Sequence, residues 1–359
     1  MVYLLKLFFI FFRPNKKNWE NRILLIKDDA FGDFLLTTGT FKHLQAHYPN
    51  KQIYILVNAP IKEVAELYFP SERIIACDTH RFDKKIAYHY QIIKQLRDIG
   101  FETIISSMHR SSNCNKIVWN SGAKNKIGYE KEFFTTKIKH FNYYTQRILS
   151  LNRIQKSTKE KYIHVIEHEA YYLSRILNAE IPAKDISPSL PLRDEKTNYI
   201  PSFNYFVFLP EAGDLIRTVP FQQTIEIIER IYKKHQLKCI VLGSGRGYDS
   251  SIFNLPFVEN KIGTTRFFDA LHYIKHAEFV IGNETGLIHA SWIMKKPTTM
   301  IYGGGHYGRF LPLNNSCHVV SEAMPCYGCN WECIYQEKTV PCISKISTNH
   351  ILNQLKVEA

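Results

Sequence analysis

Arg22-Ile23-Leu24-Leu25-Ile26-Lys27-Asp28-Asp29-Ala30-Phe31-Gly32-Asp33 is the stretch that decides the fold. Its first half, Ile23 to Ile26, is continuously apolar rather than alternating, which suits a strand buried on both faces of a parallel sheet. The second half carries three carboxylates and a glycine, and from Phe34 to His47 the pattern changes to helical spacing. Strand, polar turn and helix in that order open a doubly wound α/β domain, whose ligands bind beyond the carboxyl ends of the strands. The loop 27–33 is therefore the first place to look for chemistry.

Working outward, strands are expected at Ile53 to Val57, Arg73 to Cys77 and Thr103 to Ser106, with helices at Ile61 to Tyr68, Lys84 to Ile99 and Tyr162 to Leu177. Pro182, Pro188, Pro191 and Pro201 mark residues 179–202 as a linker. A second alternation follows it. Strands are expected at Tyr205 to Leu209, Cys239 to Leu242, Phe279 to Ile281 and Thr298 to Tyr302, with helices at Phe221 to Lys234, Phe267 to His276 and Leu287 to Met294. The reading is an α/β protein of two Rossmann-like domains, 1–180 and 181–359, facing each other across a cleft.

Composition agrees with two domains. A chain of 359 residues is long enough for each half to bury its own core, and 45% hydrophobic with 22% charged residues is ordinary for a globular protein. The formal net charge of +13 favours anionic ligands. Lysine and arginine are spread along the chain rather than gathered in an aromatic-interleaved stripe, so no nucleic-acid partner is expected. The opening MVYLLKLFFIFF, followed by Arg13, Lys16 and Lys17, is too short to span a bilayer. It reads as a helix packed on the protein or as an interfacial anchor giving peripheral contact with a membrane. The body is expected in the cytoplasm, and the isolated Cys77, Cys114, Cys239 and Cys317 fit a reducing compartment.

Six segments could carry chemistry. In the first, Gly32 allows a tight turn and Asp33 stands at the start of a helix, either as a helix cap or as a general base. Asp28 and Asp29 would raise the proton affinity of the most buried carboxylate there. In the second, Asn283-Glu284-Thr285-Gly286 ends a strand. Thr285 and Gly286 offer a hydroxyl and backbone N–H groups to an anion, Glu284 can accept from sugar hydroxyls, and His289 lies one helical turn on. In the third, Ala212 and Gly213 with Arg217 form a pyrophosphate clamp or an ordinary surface loop. Gly243, in Gly243-Ser244-Gly245-Arg246-Gly247, and the run Gly303-Gly304-Gly305 also follow strands. The Gly243 loop has the wrong spacing for a nicotinamide site and lacks the acidic residue. Finally, Cys326, Cys329, Cys333 and Cys342, in segment 326–342, either enclose a structural zinc or iron or are four reduced thiols.

In this order the loops resemble glycosyltransferase family 9, the ADP-heptose:lipopolysaccharide heptosyltransferases. RILLIKDDAFGDFLLTTGTFKHLQAHYP is similar to that family's first strand, Gly-Asp loop and helix, and VIGNETGLIHASWIMKKPTTMIYG to its donor block. The resemblance runs from about Arg22 to the cysteine segment. It implies a GT-B fold, with an acceptor-binding N-terminal domain and a nucleotide-sugar-binding C-terminal one. It also implies an inverting transfer that needs no metal or other cofactor, from ADP-heptose to a lipopolysaccharide or lipooligosaccharide core, an anionic lipid-linked glycan at the cytoplasmic face of the inner membrane. By the same resemblance Asp33 is the catalytic base and Lys27 the basic residue ending the first strand. Thr285, Gly286 and His289 form the donor turn, with Arg217, Ala212 and Gly213 at the donor phosphates. Glu284 stands where many members have aspartate, and Val219-Pro220 replaces a frequent Trp-Pro. The alternatives are a different nucleotide sugar, a different glycan or protein acceptor, or a non-catalytic sugar-nucleotide-binding module.

Overall fold

The structure, a computed structural model, describes residues 21–107, 111–130, 144–151, 162–192, 201–335, 337 and 339–357. The apolar opening 1–12, with Arg13, Lys16 and Lys17, lies outside these residues. The chain divides into two compact units. One takes the chain up to Lys156 together with Ile166–Ser187, and the other takes Ser157–Val165 and everything from Pro188.

The first unit is built on β1 (Arg22–Lys27), β2 (Gln52–Asn58), β3 (Ile74–Cys77), β4 (Thr103–Ser106), β5 (Asn125–Tyr129) and β6 (Gln146–Ile148). All pair in parallel, in the order β3-β2-β1-β4-β5-β6. Flanked by β2 and β4, β1 has Leu24 and Ile26 at 0% exposure, as its unbroken apolar run requires. The second unit holds β7 (Tyr205–Leu209), β8 (Lys238–Val241), β9 (Val258–Asn260), β10 (Val280–Asn283), β11 (Thr298–Ile301) and β12 (Cys317–Val320). These are parallel in the order β12-β11-β10-β7-β8-β9. Counted from its own first strand, each sheet has the same order. In both, the direction of winding reverses between the first and fourth strands, the switch point where a doubly wound sheet opens a crevice. The polar loops after β1 and after β7 and β10 all leave from switch points.

Most helices lie where apolar spacing places them; Thr79–Lys84 and Ser112–Asn120 are additional, the expected 61–68 is a helix only over Lys62–Ala65, and one expected helix is broken. The expected helix 34–47 is two, α1 (Phe31–Leu36) and α2 (Gly39–His47). Thr37 and Thr38 turn their hydroxyls back onto the carbonyls of Phe34 (3.0 Å) and Leu35 (2.8 Å), bonds that bend a helix. The bend brings Gly39 against Ile186 and Ser187, so closely that a Cβ there would stand 2.7 Å from Ile186 backbone. The remaining elements used below are α3 (Ile86–Ile99), α4 (Ser112–Asn120), α5 (Val165–Leu177), α6 (Phe221–His235), α7 (Phe267–His276) and α8 (Gly286–Ile293).

Each unit has its own core. Leu24, Ile26, Leu56, Ile75 and Ile104 from the first sheet pack with Ile92, Ile93 and Leu96 of α3 and Ile117 and Val118 of α4. Phe206, Phe208, Val241, Phe279 and Ile281 pack with Ile227, Ile228 and Ile231 of α6. Each such side chain, fully buried, contributes about 1.5–3 kcal/mol relative to exposure. Among the described residues no helix is long and apolar enough to cross a membrane.

Candidate active site

At the end of β1 the chain buries a charge. Lys27 is 2% exposed, with its Nζ 3.0 Å from Asp29 Oδ2, 3.5 Å from Glu169 Oε1 and 3.0 Å from Ser107 Oγ. Burial alone would lower the Lys27 pKa. The carboxylates of Asp29 and Glu169, with Asp33 beyond them, outweigh it and keep the ammonium charged. Glu169 is pushed up by burial and pulled back by Lys27. So Lys27 does not reach solvent; it ties the acidic loop to α5 and to the loop after β4.

Asp33 is not a cap. The residue capping α1 is Ala30, with no side-chain capping bond, and Asp33 lies three positions further, in the first turn. That turn favours a carboxylate through its N–H groups and dipole. Asp28 is the perturbed acid of the loop, raised to about 6 by burial and then by the negative charge of Asp29, with hydrogen bonds from Ser111 and Cys114 working against both. Gly32 sits within the first turn of α1.

In the second unit the switch point gathers the expected donor residues. Asn283 is fully buried and acts as a clamp: its Oδ1 accepts from Val219 N (3.0 Å) and its Nδ2 donates to Pro210 O (2.7 Å). It thereby fixes the loop after β7 to the end of β10. Glu284 Oε1 lies 2.9 Å from His289 Nε2, and His289 Nδ1 accepts from Trp292 Nε1 at 3.2 Å. These bonds place the His289 proton on Nε2, facing Glu284. Burial opposes ionisation of Glu284, but the hydrogen bond from His289, with the charge of Arg217 behind it, holds its carboxyl below the usual range. Thr285 precedes α8 in extended conformation and its hydroxyl makes no capping bond, while Gly286 opens the helix. Arg217 ends a single 3-10 turn, Leu215–Arg217, and Gly213 makes room for it, since a Cβ there would lie 2.3 Å from its Nη2. Ala212 sits between, in the loop after β7.

Gly243 does something the sequence did not suggest. A Cβ on it would stand 2.5 Å from Glu211 Oε1. The Glu211 carboxylate accepts from Ser244 N (2.7 Å), Ser244 Oγ (2.8 Å), Gly245 N (2.7 Å) and Tyr248 Oη (2.9 Å). The glycine-rich loop after β8 thus holds an anion supplied by the protein.

The triple glycine after β11 is a seat for the cysteine segment. Cβ atoms at Gly304 and Gly305 would meet Tyr327 Cδ1 at 2.0 Å and Trp331 Cδ2 at 2.3 Å. Gly328 N and Asn330 N donate to Gly304 O (2.8 Å) and Gly305 O (2.9 Å), and Gly304 N donates to Cys342 Sγ (3.3 Å). Cys342 is buried and Cys326, Cys329 and Cys333 are half-buried. The Cys342 thiol is raised first by burial and further by the charge of Cys326, Cys329 and Cys333, against a hydrogen bond from Gly304 N. Among the described residues no group of three or more His, Cys, Asp or Glu side chains stands in metal-holding geometry.

Glu169, Glu211, His306 and Trp331 escaped the sequence reading. Glu169 had a signal: Ile166, Ala170, Leu173 and Leu177 form the buried face of α5, and a carboxylate on that face needs a buried cation. Gly303-Gly304-Gly305 announced a close approach without saying by what.

Residues 90–338 match glycosyltransferase family 9 (heptosyltransferase). A Haemophilus influenzae protein that bears the name of a glycosyltransferase is 21% identical over 324 residues, 82% of this chain and 86% of that one. Among solved structures, Escherichia coli ADP-heptose LPS heptosyltransferase II has a TM-score of 0.68 at 15% identity, covering 93% of this chain and 97% of its own. Escherichia coli heptosyltransferase WaaC with ADP-2-deoxy-2-fluoro heptose has a TM-score of 0.64 at 15% identity, covering 92% and 98%. The iron-containing dodecameric glycosyltransferase TibC of enterotoxigenic Escherichia coli has a TM-score of 0.57 at 11% identity, covering 93% and 76%. At these identities the structures show the fold, which is GT-B.

Proposed function

The chain belongs to glycosyltransferase family 9 and is a glycosyltransferase, and from that premise we propose an inverting transfer of heptose from ADP-heptose to an anionic, lipid-linked glycan of the lipopolysaccharide core type. Asp33 takes the proton of the acceptor hydroxyl as its oxygen attacks the anomeric carbon from the face opposite the nucleotide. The bond from that carbon to the phosphate oxygen breaks, and a nucleoside diphosphate leaves. Arg217, the backbone at Ala212 and Gly213, and the N–H groups at Thr285 and Gly286 stabilise its negative charge. A positioned base and a stabilised leaving group complete this chemistry, so no metal or other cofactor is assigned to the chemical step.

The observation that carries the reading is the gathering of Arg217, Glu284 and His289 at the switch point between β7 and β10. In support, Asp33 stands in the first turn of α1 without serving as its cap. Asp28, Asp29 and Gly32 shape its loop and Lys27 anchors it; Gly243 contributes by admitting Glu211. In the test, Asp33→Asn binds donor with unchanged affinity and loses about 10²–10⁴-fold in turnover. Near-normal turnover would dismiss Asp33 as the base. Calorimetry with ADP-, GDP- and UDP-sugars fixes the donor. A different nucleotide sugar is the second reading, favoured by Glu284, whose longer side chain is already engaged by His289.

Two further assignments belong to the same proposal. Function at the cytoplasmic face of the inner membrane follows from the basic charge and an anionic acceptor. For Cys326, Cys329, Cys333 and Cys342 the proposed role is structural, as ligands of zinc or iron, supported by four soft donors at C-x2-C-x3-C-x8-C spacing in a loop-rich segment. Their present geometry is not that of a ligand set. About one equivalent of either metal in the purified protein supports the role, and none overturns it.

A further inference from the structure

We infer that Trp331, in the cysteine-rich segment, is a positioning residue that presents Arg217 to the pyrophosphate of the donor; the inference rests on the donor reading of Arg217 above. The guanidinium carbon of Arg217 lies 5.0 Å over the Trp331 ring, and its Nη2 lies against the bare Cα of Gly213. The guanidinium is thus slotted between an indole and a glycine. A stacked guanidinium is held through its face, which leaves the N–H groups along its edge for an anion, whereas a carboxylate partner would consume them. Stacking is therefore the way to orient an arginine for phosphate without neutralising it.

The indole is itself fixed with unusual thoroughness. Its Nε1 donates to His306 Nδ1 at 3.1 Å, and His306 Nε2 lies 2.9 Å from Asn330 Oδ1. Its ring rests on Gly303 and Gly305, positions where a Cβ would approach it to 2.7 and 2.3 Å. Asn330 and Trp331 both take left-handed backbone angles, φ 54° and 64°. Two consecutive non-glycine residues in that region are held there by their surroundings, a form of strain that gathers at functional sites. A backbone bond from Val340 N to Ile216 O, 3.0 Å, joins the far side of the segment to the residue before Arg217. The triple glycine and the cysteine segment, which the transfer chemistry does not use, together hold one indole under one arginine.

Calorimetry of the full chain with ADP, GDP and UDP, scored on whichever binds most tightly, tests the inference. Trp331→Leu, which refills the volume without an aromatic face, weakens binding by about tenfold, while Trp331→Phe stays within about threefold of wild type. Arg217→Ala weakens binding by tenfold or more, roughly, and adding Trp331→Leu to it changes nothing further. In turnover assays Trp331→Leu raises the donor KM more than it lowers kcat. Arg217→Lys, which keeps the charge, loses the planar stack and leaves the cysteine segment intact, reproduces the loss of Trp331→Leu. The inference is overturned if Trp331→Leu binds as wild type, or if it weakens Arg217→Ala by the same factor as it weakens wild type. Should Arg217→Ala bind as wild type, the donor reading falls, and this inference with it.

Discussion

Lys27 is a cation almost without water, and its two carboxylate partners make it expensive to remove. Lys27→Ala would leave Asp29 and Glu169 facing each other in a buried site, and a loss of about 3–5 kcal/mol is expected in urea unfolding. Lys27→Met combined with Asp29→Asn and Glu169→Gln, which removes the cation and both of its carboxylate partners, is expected to restore most of it. Asp28 behaves differently. Its folded pKa of about 6 lies above its ordinary value of 3.8, so the folded state binds its proton more tightly than the unfolded chain does. The stability this contributes is complete below the ordinary value and is lost as pH rises through about 6. Asp28→Asn should therefore raise the melting temperature relative to wild type above pH 6 and progressively less as pH falls toward 4, read by a pH series of thermal melts. At this scale the sequence was partly legible. The carboxylates of loop 27–33 were visible because they follow a buried strand. Glu169 was not, because its partner lies 142 positions earlier in the chain and only the fold brings the two within 3.5 Å.

Among elements, β10 shows how tightly the donor turn is held. Gly282 packs so close to β7 that a Cβ would stand 2.3 Å from Leu209 O, a backbone atom that cannot swing aside. Gly282→Ala is expected to cost about 1–3 kcal/mol, read by denaturant unfolding. It should also weaken nucleotide binding, since Asn283 next to it clamps the loop after β7. Central strands were readable from their apolar runs: Thr103 to Ser106 and Tyr205 to Leu209 are expected and found with the same ends. The strands β5, β6, β9 and β12 were not. β5, β6 and β12 bury only some of their side chains and β9 none fully, three residues suffice for β6 and β9, and no apolar run distinguishes the four from loop. The break between α1 and α2 escaped because apolar spacing continues across it, and what bends the helix is the return of the Thr37 and Thr38 hydroxyls to the carbonyls of Phe34 and Leu35.

For the whole molecule, the positive charge is the property with a direct consequence. A net charge of +13 attracts an anionic acceptor through forces that salt screens. The acceptor KM should rise several-fold between about 50 and about 300 mM salt for an anionic glycan and stay flat for a neutral one; equal behaviour of the two would remove electrostatic attraction from the account. The two-domain plan was legible because strand and helix patterns restart after a proline-rich stretch. The expected division at 180 put α5 with the first sheet, where it lies, but not the exact seam: Ser157–Val165 go to the second unit and residues 181–187 to the first, because no change of apolar pattern marks either point.

That membership has a consequence during synthesis. The first unit takes back Ile166–Ser187 after the chain has already contributed Ser157–Val165 to the second. On the ribosome, a nascent chain that has emerged only as far as Lys156 carries a complete first sheet but lacks Glu169 to share the charge of Lys27, Tyr172 to bond Ser106 O at 2.6 Å, and Ile186 to meet Gly39. The unit closest to the N-terminus is therefore finished only when the helix following its last strand has left the exit tunnel. A product of premature termination before that point would be a substrate for proteases.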